Sequence, residues 1–189
     1  SIGARGTVYL SPVVEAGGVE ARIEFRPVAT SFPETLRKTV STSTTESGGE
    51  SGGRYEVNLL PGIYDVLIYP TSPHSDLLPP LYPERIAVDT DGSTGHDFAY
   101  PLDLTTLTGT LLLANDDPVP HGLRVWAVDA TTGRRVSTTA VTGTNLSDTC
   151  LDDCAGSFSL VLSPTAVEIE LRVTPDDTAD AAGYPIISF

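Results

Sequence analysis

The chain has 189 residues and a net charge of −14, from 11 basic and 25 acidic residues. This length fits one large or two small domains. The acidic balance would repel a polyanion, so we expect no nucleic acid among the partners, and no apolar run reaches the roughly 18 residues that a membrane-spanning helix needs.

Apolar runs recur along the chain at a constant spacing of 103 residues. The run Gly6–Leu10 matches Gly109–Leu113. The longer segment Gly53–Pro70 matches Gly156–Pro175, which has two extra residues before its closing proline. One constant offset across separate blocks predicts an internal repeat of a single structural unit.

The apolar period within these blocks is two. In the first copy Tyr55, Val57 and Leu59 alternate with polar residues, and in the second copy the alternation covers residues 167–173. Because side chains on a strand point to opposite faces in turn, this pattern predicts antiparallel sheets with one buried face. The stretch 41–53 is nearly all Ser, Thr, Gly and Glu and predicts a long loop. We therefore predict an all-β chain of two tandem Greek-key β-sandwich domains.

The two predicted domains differ at their ends. The first comprises residues 1–103 and the second residues 104–189. In the second copy the chain stops soon after Tyr184-Pro185, so we expect this module to lack its last strand. The alternative is that this dipeptide corresponds to Tyr100-Pro101, with a penultimate strand deleted.

A longer pattern links both copies to a known family. An opening Gly-x-Val strand is followed by Gly-x-Tyr-x-Val-x-Leu, Pro-Gly-x-Tyr and x-Val-x-Ile, carried by Gly6, Val8, Gly53, Tyr55, Val57, Leu59, Pro61, Gly62, Tyr64, Val66 and Ile68. This pattern resembles the carboxypeptidase regulatory-like modules of the transthyretin-like (prealbumin-like) sandwich group. The second copy carries it less completely, with Thr165 where glycine is usual. The resemblance implies a seven- or eight-stranded, Ig-like or prealbumin-like sandwich, generally a non-catalytic appendage on exported or surface-anchored bacterial proteins; its motifs specify fold rather than activity.

The two cysteines, Cys150 and Cys154, lie four residues apart. With three scattered histidines they do not supply the ligand spacing of a structural zinc site. We therefore expect a local disulfide, which persists only in oxidising compartments and so predicts an extracellular or cell-envelope location. A reduced pair is the alternative.

Three carboxylates, Asp89, Asp91 and Asp97, surround a predicted hairpin and are candidate calcium ligands. Calcium prefers six to eight oxygen ligands, and this cluster lacks the full spacing of an EF-type loop. The geometry of an Asp-Gly turn explains the same residues without a metal. Apart from calcium, we expect no cofactor.

Two side chains are candidates for an outer binding surface. Alternation places Leu67 and Tyr69 opposite the predicted core face of their strand, where they could bind a glycan or a peptide. Packing against the other module or beneath a loop is the alternative. Trp126 lies 103 residues after Ile23, which predicts that it belongs to the core.

Catalysis is not expected, since none of His74, His96 and His121 falls in a local catalytic motif. We predict a non-catalytic tandem module of a secreted or surface-anchored bacterial protein, with a structural, spacer or adhesive role. The alternatives are a carbohydrate- or peptide-binding module and, after it, a hydrolase. The expected partners are neighbouring domains of a longer chain and a glycan or protein ligand.

Overall fold

The computed structural model describes residues 2–9, 18–28, 37–42, 52–89, 95–101, 103–119, 122–143, 155–164 and 168–175. Every regular element in these ranges is a β-strand, apart from one 3-10 turn at His74–Asp76. The chain divides into two compact units, unit 1 (residues 1–75 and 80–103) and unit 2 (residues 76–79 and 104–189). The prediction of an all-β fold is confirmed.

Within its described residues unit 1 has two sheets. The strands are β1 (Ile2–Tyr9), β2 (Ala21–Pro27), β3 (Lys38–Ser41), β4 (Arg54–Leu59), β5 (Gly62–Pro70), β6 (Ile86–Val88) and β7 (Phe98–Ala99). One sheet has the order β4-β1-β7 and the other β3-β2-β5-β6. Neighbouring strands are antiparallel except β1 and β7, which are parallel. The opening strand begins at Ile2 rather than Gly6, because Ile2 pairs with Leu59 at the far end of β4.

Unit 2 repeats part of this arrangement. Its described strands are β8 (Thr105–Thr110), β9 (Leu123–Asp129), β10 (Ala140–Val141), β11 (Ser157–Leu162) and β12 (Ile169–Pro175). They form the antiparallel sheets β11-β8 and β10-β9-β12. The predicted end of the second module, around Tyr184-Pro185, lies outside the described residues.

The core of each unit lies between its two sheets. In β4 the buried residues Tyr55, Val57 and Leu59 alternate with exposed polar residues, which confirms the period of two. The Tyr55 ring lies 5.9 Å from that of Phe25 on β2, measured between centroids, and so joins the two sheets. In unit 2 the buried cluster consists of Val125, Ala127, Val136, Phe158 and Leu160. Full burial of one such large side chain contributes about 1.5–3 kcal/mol.

The repeat is strict in the first pair of strands. In unit 1 Ala4 lies opposite Val57, and in unit 2 Leu107 lies opposite Leu160. All four positions are related by the predicted offset of 103. The same strands therefore pair in the same register in both units.

The offset changes in the other sheet. The core residue Ile23 of β2 lies opposite Ile68, whereas its counterpart in unit 2 is Val125, which lies opposite Val173. The offset is thus 102 for β2 and 105 for β5. Because a shift of one residue moves a side chain to the other face of a strand, Trp126 points away from the core and is only half-buried. The prediction that Trp126 is a core residue is wrong.

A buried threonine serves the same purpose in both units. The Thr42 hydroxyl accepts a hydrogen bond from the Ala21 amide at 2.9 Å, and the Thr142 hydroxyl accepts one from the Leu123 amide at 3.0 Å. Each threonine amide donates to the carbonyl of that same partner. The loop predicted from residue 41 therefore starts too early, since Ser41 ends β3 and Thr42 is buried; residues 43–51 lie outside the described ranges.

The residue before β4 and the residue before β11 are glycines with left-handed backbone. Gly53 has φ of 89° and Gly156 has φ of 71°. A side chain at either position would collide with a strand carbonyl oxygen, that of Val8 in unit 1 and of Leu111 in unit 2. These carbonyls belong to equivalent residues, whose amides donate to the Gly53 and Gly156 carbonyls at 2.9 Å.

We expect Gly156→Ala to lower the free energy of unfolding of unit 2 by about 2–5 kcal/mol, the sum of the left-handed backbone cost and of overpacking. The matched control is Gly133→Ala. Gly133 also has a left-handed φ of 67°, but no atom lies within 4 Å of its Cβ position, so only the backbone cost of about 1–2 kcal/mol applies. Urea unfolding followed by the fluorescence of Trp126, which lies in unit 2, measures both. Equal losses would contradict the close approach at Gly156.

Candidate functional site

The structure describes two of the three predicted calcium ligands. Asp89 is exposed just after β6, Asp97 is exposed just before β7, and Asp91 lies outside the described ranges. In the part of the chain that the structure describes, no group of three His, Cys, Asp or Glu side chains could hold a metal ion. The calcium site stays a prediction.

Asp97 makes a hydrogen bond to the backbone of β1. Its Oδ1 accepts a hydrogen bond from the backbone amide of Thr7 at 2.8 Å. Strand β7 pairs with β1 only at Val8 and Tyr9, and one further bridge joins Arg5 to Gly95. The carboxylate of Asp97 therefore supplies the acceptor that the short strand does not give to Thr7.

Of the two residues predicted to form an outer binding surface, Tyr69 is partly exposed and Leu67 is buried. Leu67 lies on the outward side of β5, but only 3 % of its surface is exposed, so it is not available to a ligand. Tyr69 keeps part of its surface, and the guanidinium carbon of Arg22 lies 5.1 Å from its ring centroid. The prediction of an exposed Leu67 is therefore corrected, because alternation gives the side of the strand but not what covers that side.

Cys150 and Cys154 both lie outside the described residues. The disulfide between them, and the oxidising compartment inferred from it, stay predictions.

An open groove of about 690 Å³ lies on unit 1 along β1 and β4. Its charged lining consists of Arg5 and Arg54 with Glu56 and Asp97. These charges balance, so the groove suits a polar ligand without strong preference for either sign. From the alternation in the sequence, the polar side chains of these strands are expected on a solvated face, and the groove itself is not predicted.

Tyr55 forms part of the groove floor and is fixed in place. Its hydroxyl donates to the His96 carbonyl at 2.7 Å, and its ring stacks on Phe98 with centroids 5.9 Å apart. Burial raises the pKa of the phenol far above its ordinary value, and the negative charge of Asp97 raises it further. The phenol is therefore a permanent hydrogen-bond donor and not an acid–base group at neutral pH.

The described histidines hold structural positions. His74 Nδ1 accepts from the Glu20 amide at 3.3 Å. The His96 amide donates to the Arg5 carbonyl at 3.0 Å, while its Nε2 is enclosed without a hydrogen-bond partner among the described residues. His121 lies outside the described ranges.

No family model matches the sequence, and no curated protein matches it either. Three solved structures are similar over most of this chain. A leucine-rich repeat protein from Bacteroides thetaiotaomicron is 12 % identical, with a TM-score of 0.36, and the match covers 92 % of this chain and 24 % of that one. A candidate adhesin from Bacteroides ovatus is 8 % identical, with a TM-score of 0.35, and the match covers 98 % of this chain and 71 % of that one. A minor pilin of Streptococcus agalactiae is 10 % identical, with a TM-score of 0.33, and the match covers 95 % of this chain and 85 % of that one.

These likenesses carry no argument about function, since all three TM-scores are below 0.5. The chain spans about a quarter of the length of the first of these structures. The resemblance to carboxypeptidase regulatory-like modules has no matching family model and stays a proposal. Among the described residues there is no helix of the length and apolarity that would cross a membrane.

Two variants of Asp97 separate its structural contact from calcium binding. We expect Asp97→Ala to destabilise unit 1 by about 0.5–1.5 kcal/mol, because the Thr7 amide loses its acceptor. Asp97→Asn keeps an acceptor oxygen and should lose much less. Scanning calorimetry with calcium and with chelator measures both. A calcium-dependent stabilisation that Asp97→Asn abolishes would contradict the structural role and support the metal site.

Proposed function

We propose that this chain is a non-catalytic pair of structural or adhesive modules, of carboxypeptidase regulatory-like type, in an exported or surface-anchored bacterial protein. The supporting observation is that the two units share their internal contacts and not their surfaces.

The shared contacts are those that hold each sandwich together. The glycines Gly53 and Gly156 occupy equivalent corners, and Thr42 and Thr142 accept equivalent hydrogen bonds at the start of β2 and β9. The register of β1 with β4 recurs between β8 and β11. The repeat therefore covers the residues that hold each sandwich together.

The outer surfaces diverge. In the groove of unit 1, Arg5 lies opposite Glu56, whereas the equivalent pair in unit 2 is Thr108 and Ser159. The charged groove is therefore absent from the corresponding described positions of unit 2. A catalytic or metal site built from these surface residues would therefore be present in one unit only. In unit 1 the Asp97 carboxylate already accepts a hydrogen bond from the backbone of β1.

A second candidate function is carbohydrate or peptide binding. It is favoured by one observation, the outward position of Trp126 in unit 2. Because Leu67 is buried, Trp126 takes its place as the candidate apolar side chain on an outer sheet face that a ligand could reach.

The proposed role predicts that the protein is accessible at the cell surface and that it has no hydrolytic activity. In intact cells that make the full-length protein, added protease should remove an epitope tag inserted next to Gly133, an open turn position, without cell lysis. The purified chain should hydrolyse no chromogenic ester, amide or glycoside above the buffer rate.

Cleavage of the tag only after lysis would contradict the surface location. Saturable hydrolysis that is lost in His96→Gln or Asp97→Asn, with unchanged thermal melting, would contradict the non-catalytic role.

A further inference from the structure

The outward side of the sheet β10-β9-β12 carries a cluster that we call the Trp126 face, formed by Arg124, Trp126, Glu170 and Arg172. Arg124 and Trp126 are two residues apart on β9, and Arg172 lies directly opposite Trp126 on β12. Residues opposite each other in an antiparallel pair have side chains on the same face, about 4.5–5.5 Å apart at Cβ. The Trp126 and Arg172 side chains therefore leave the sheet on the same outward face of unit 2.

The sandwich itself does not require an aromatic residue at this position. The equivalent residue of unit 1 is Glu24, which is 6 % exposed and forms ion pairs with Arg26 and Arg37. The core positions on either side of Trp126 are filled by Val125 and Ala127, both fully buried. The indole belongs to the surface of one unit and not to the repeated scaffold.

The chain as a whole has a net charge of −14, whereas the Trp126 face carries two arginines and one glutamate. Residues 104–189 contain four basic side chains, Arg124, Arg134, Arg135 and Arg172, and two of them flank the indole. The Arg172 side chain is 42 % exposed and donates to Glu170 Oε2 at 3.0 Å, which holds the guanidinium in position. Guanidinium groups bind carboxylates in a bidentate geometry.

We propose that the Trp126 face binds an acidic polysaccharide. The apolar C–H face of a sugar ring would pack on the indole, and a uronate carboxylate would pair with Arg172 or Arg124. Residues two apart on one strand are separated by about 6.4–6.8 Å, so Trp126 and Arg124 would contact one sugar and its neighbour. The site deepens the second candidate function and does not depend on the scaffold role.

A peptide fits this face less well than a glycan. Extended peptides bind by adding a strand to a free sheet edge. Strand β9 pairs with β12 from Leu123 to Asp129 and with β10 on its other side at Arg124 and Val125. The backbone beneath Trp126 is thus already paired, and only side chains face a ligand.

Trp126 is the single tryptophan of the chain, so its fluorescence reports on this face alone. We expect polygalacturonate, alginate or hyaluronan to change the emission saturably, and the change to weaken as the salt concentration rises, because ion pairs at the surface are screened. Neutral dextran and poly-glutamate should leave the emission unchanged.

Calorimetric titration of variants completes the test. Trp126→Ala and Arg172→Gln should each weaken binding at least about tenfold, the loss expected for 1.4 kcal/mol, while Trp126→Phe should retain part of it. The matched control is Arg85→Gln, which removes an exposed arginine of unit 1 that pairs with Asp65 as Arg172 pairs with Glu170, and it should bind as the unaltered chain does. Thermal melting checks folding, and Arg172→Gln tests the site if Trp126→Ala does not fold.

The proposal is overturned if none of the three acidic polysaccharides binds, if poly-glutamate or dextran binds equally well, or if Arg172→Gln and Trp126→Phe both bind with unchanged affinity. None of these outcomes bears on the surface location or the absence of catalysis.

Discussion

In both units a glycine of one strand lies opposite an aromatic residue of the next. Gly6 lies opposite Tyr55, and Gly109 lies opposite Phe158. A Cβ atom on Gly109 would come within 2.7 Å of the Phe158 ring, so only glycine lets the ring occupy this place. At Gly6 a Cβ atom would collide with the His96 carbonyl before it reached the Tyr55 ring. Because side chains alternate along a strand, each glycine–aromatic pair lies on the core face of both of its strands. The polar pairs next to them, Arg5 with Glu56 in unit 1 and Thr108 with Ser159 in unit 2, therefore lie on the opposite face of the same strands.

The first pair of strands in each unit could be predicted from the sequence, because its apolar residues alternate with polar ones. The pattern fails in β9, where Val125, Trp126, Ala127 and Val128 form a continuous apolar run. Such a run does not tell which side faces the core. The offset of 103, taken from the neighbouring strands, then put Trp126 on the wrong face.

Other features depend on contacts between distant parts of the chain. Thr42 lies in a stretch of Ser, Thr and Gly, whose composition is typical of loops, and its hydrogen bonds to Ala21 and Val19 show that it is part of the fold. The hydrogen bond between the Thr7 amide and Asp97 could not be predicted, because the two residues are 90 positions apart. Leu67 was placed on the correct side of its strand, but its burial could not be predicted from alternation.

The scaffold is common to both units, the surfaces are specific to each, and Trp126 lies outside the core. Nuclear Overhauser contacts of the Trp126 indole protons test this most directly. We expect contacts from the indole to the side chain of Arg172, and contacts from the Val125 methyl groups to Phe158 or Leu160. Contacts from the indole to Phe158 and Leu160 would contradict it, because they would restore the offset of 103 and place Trp126 in the core.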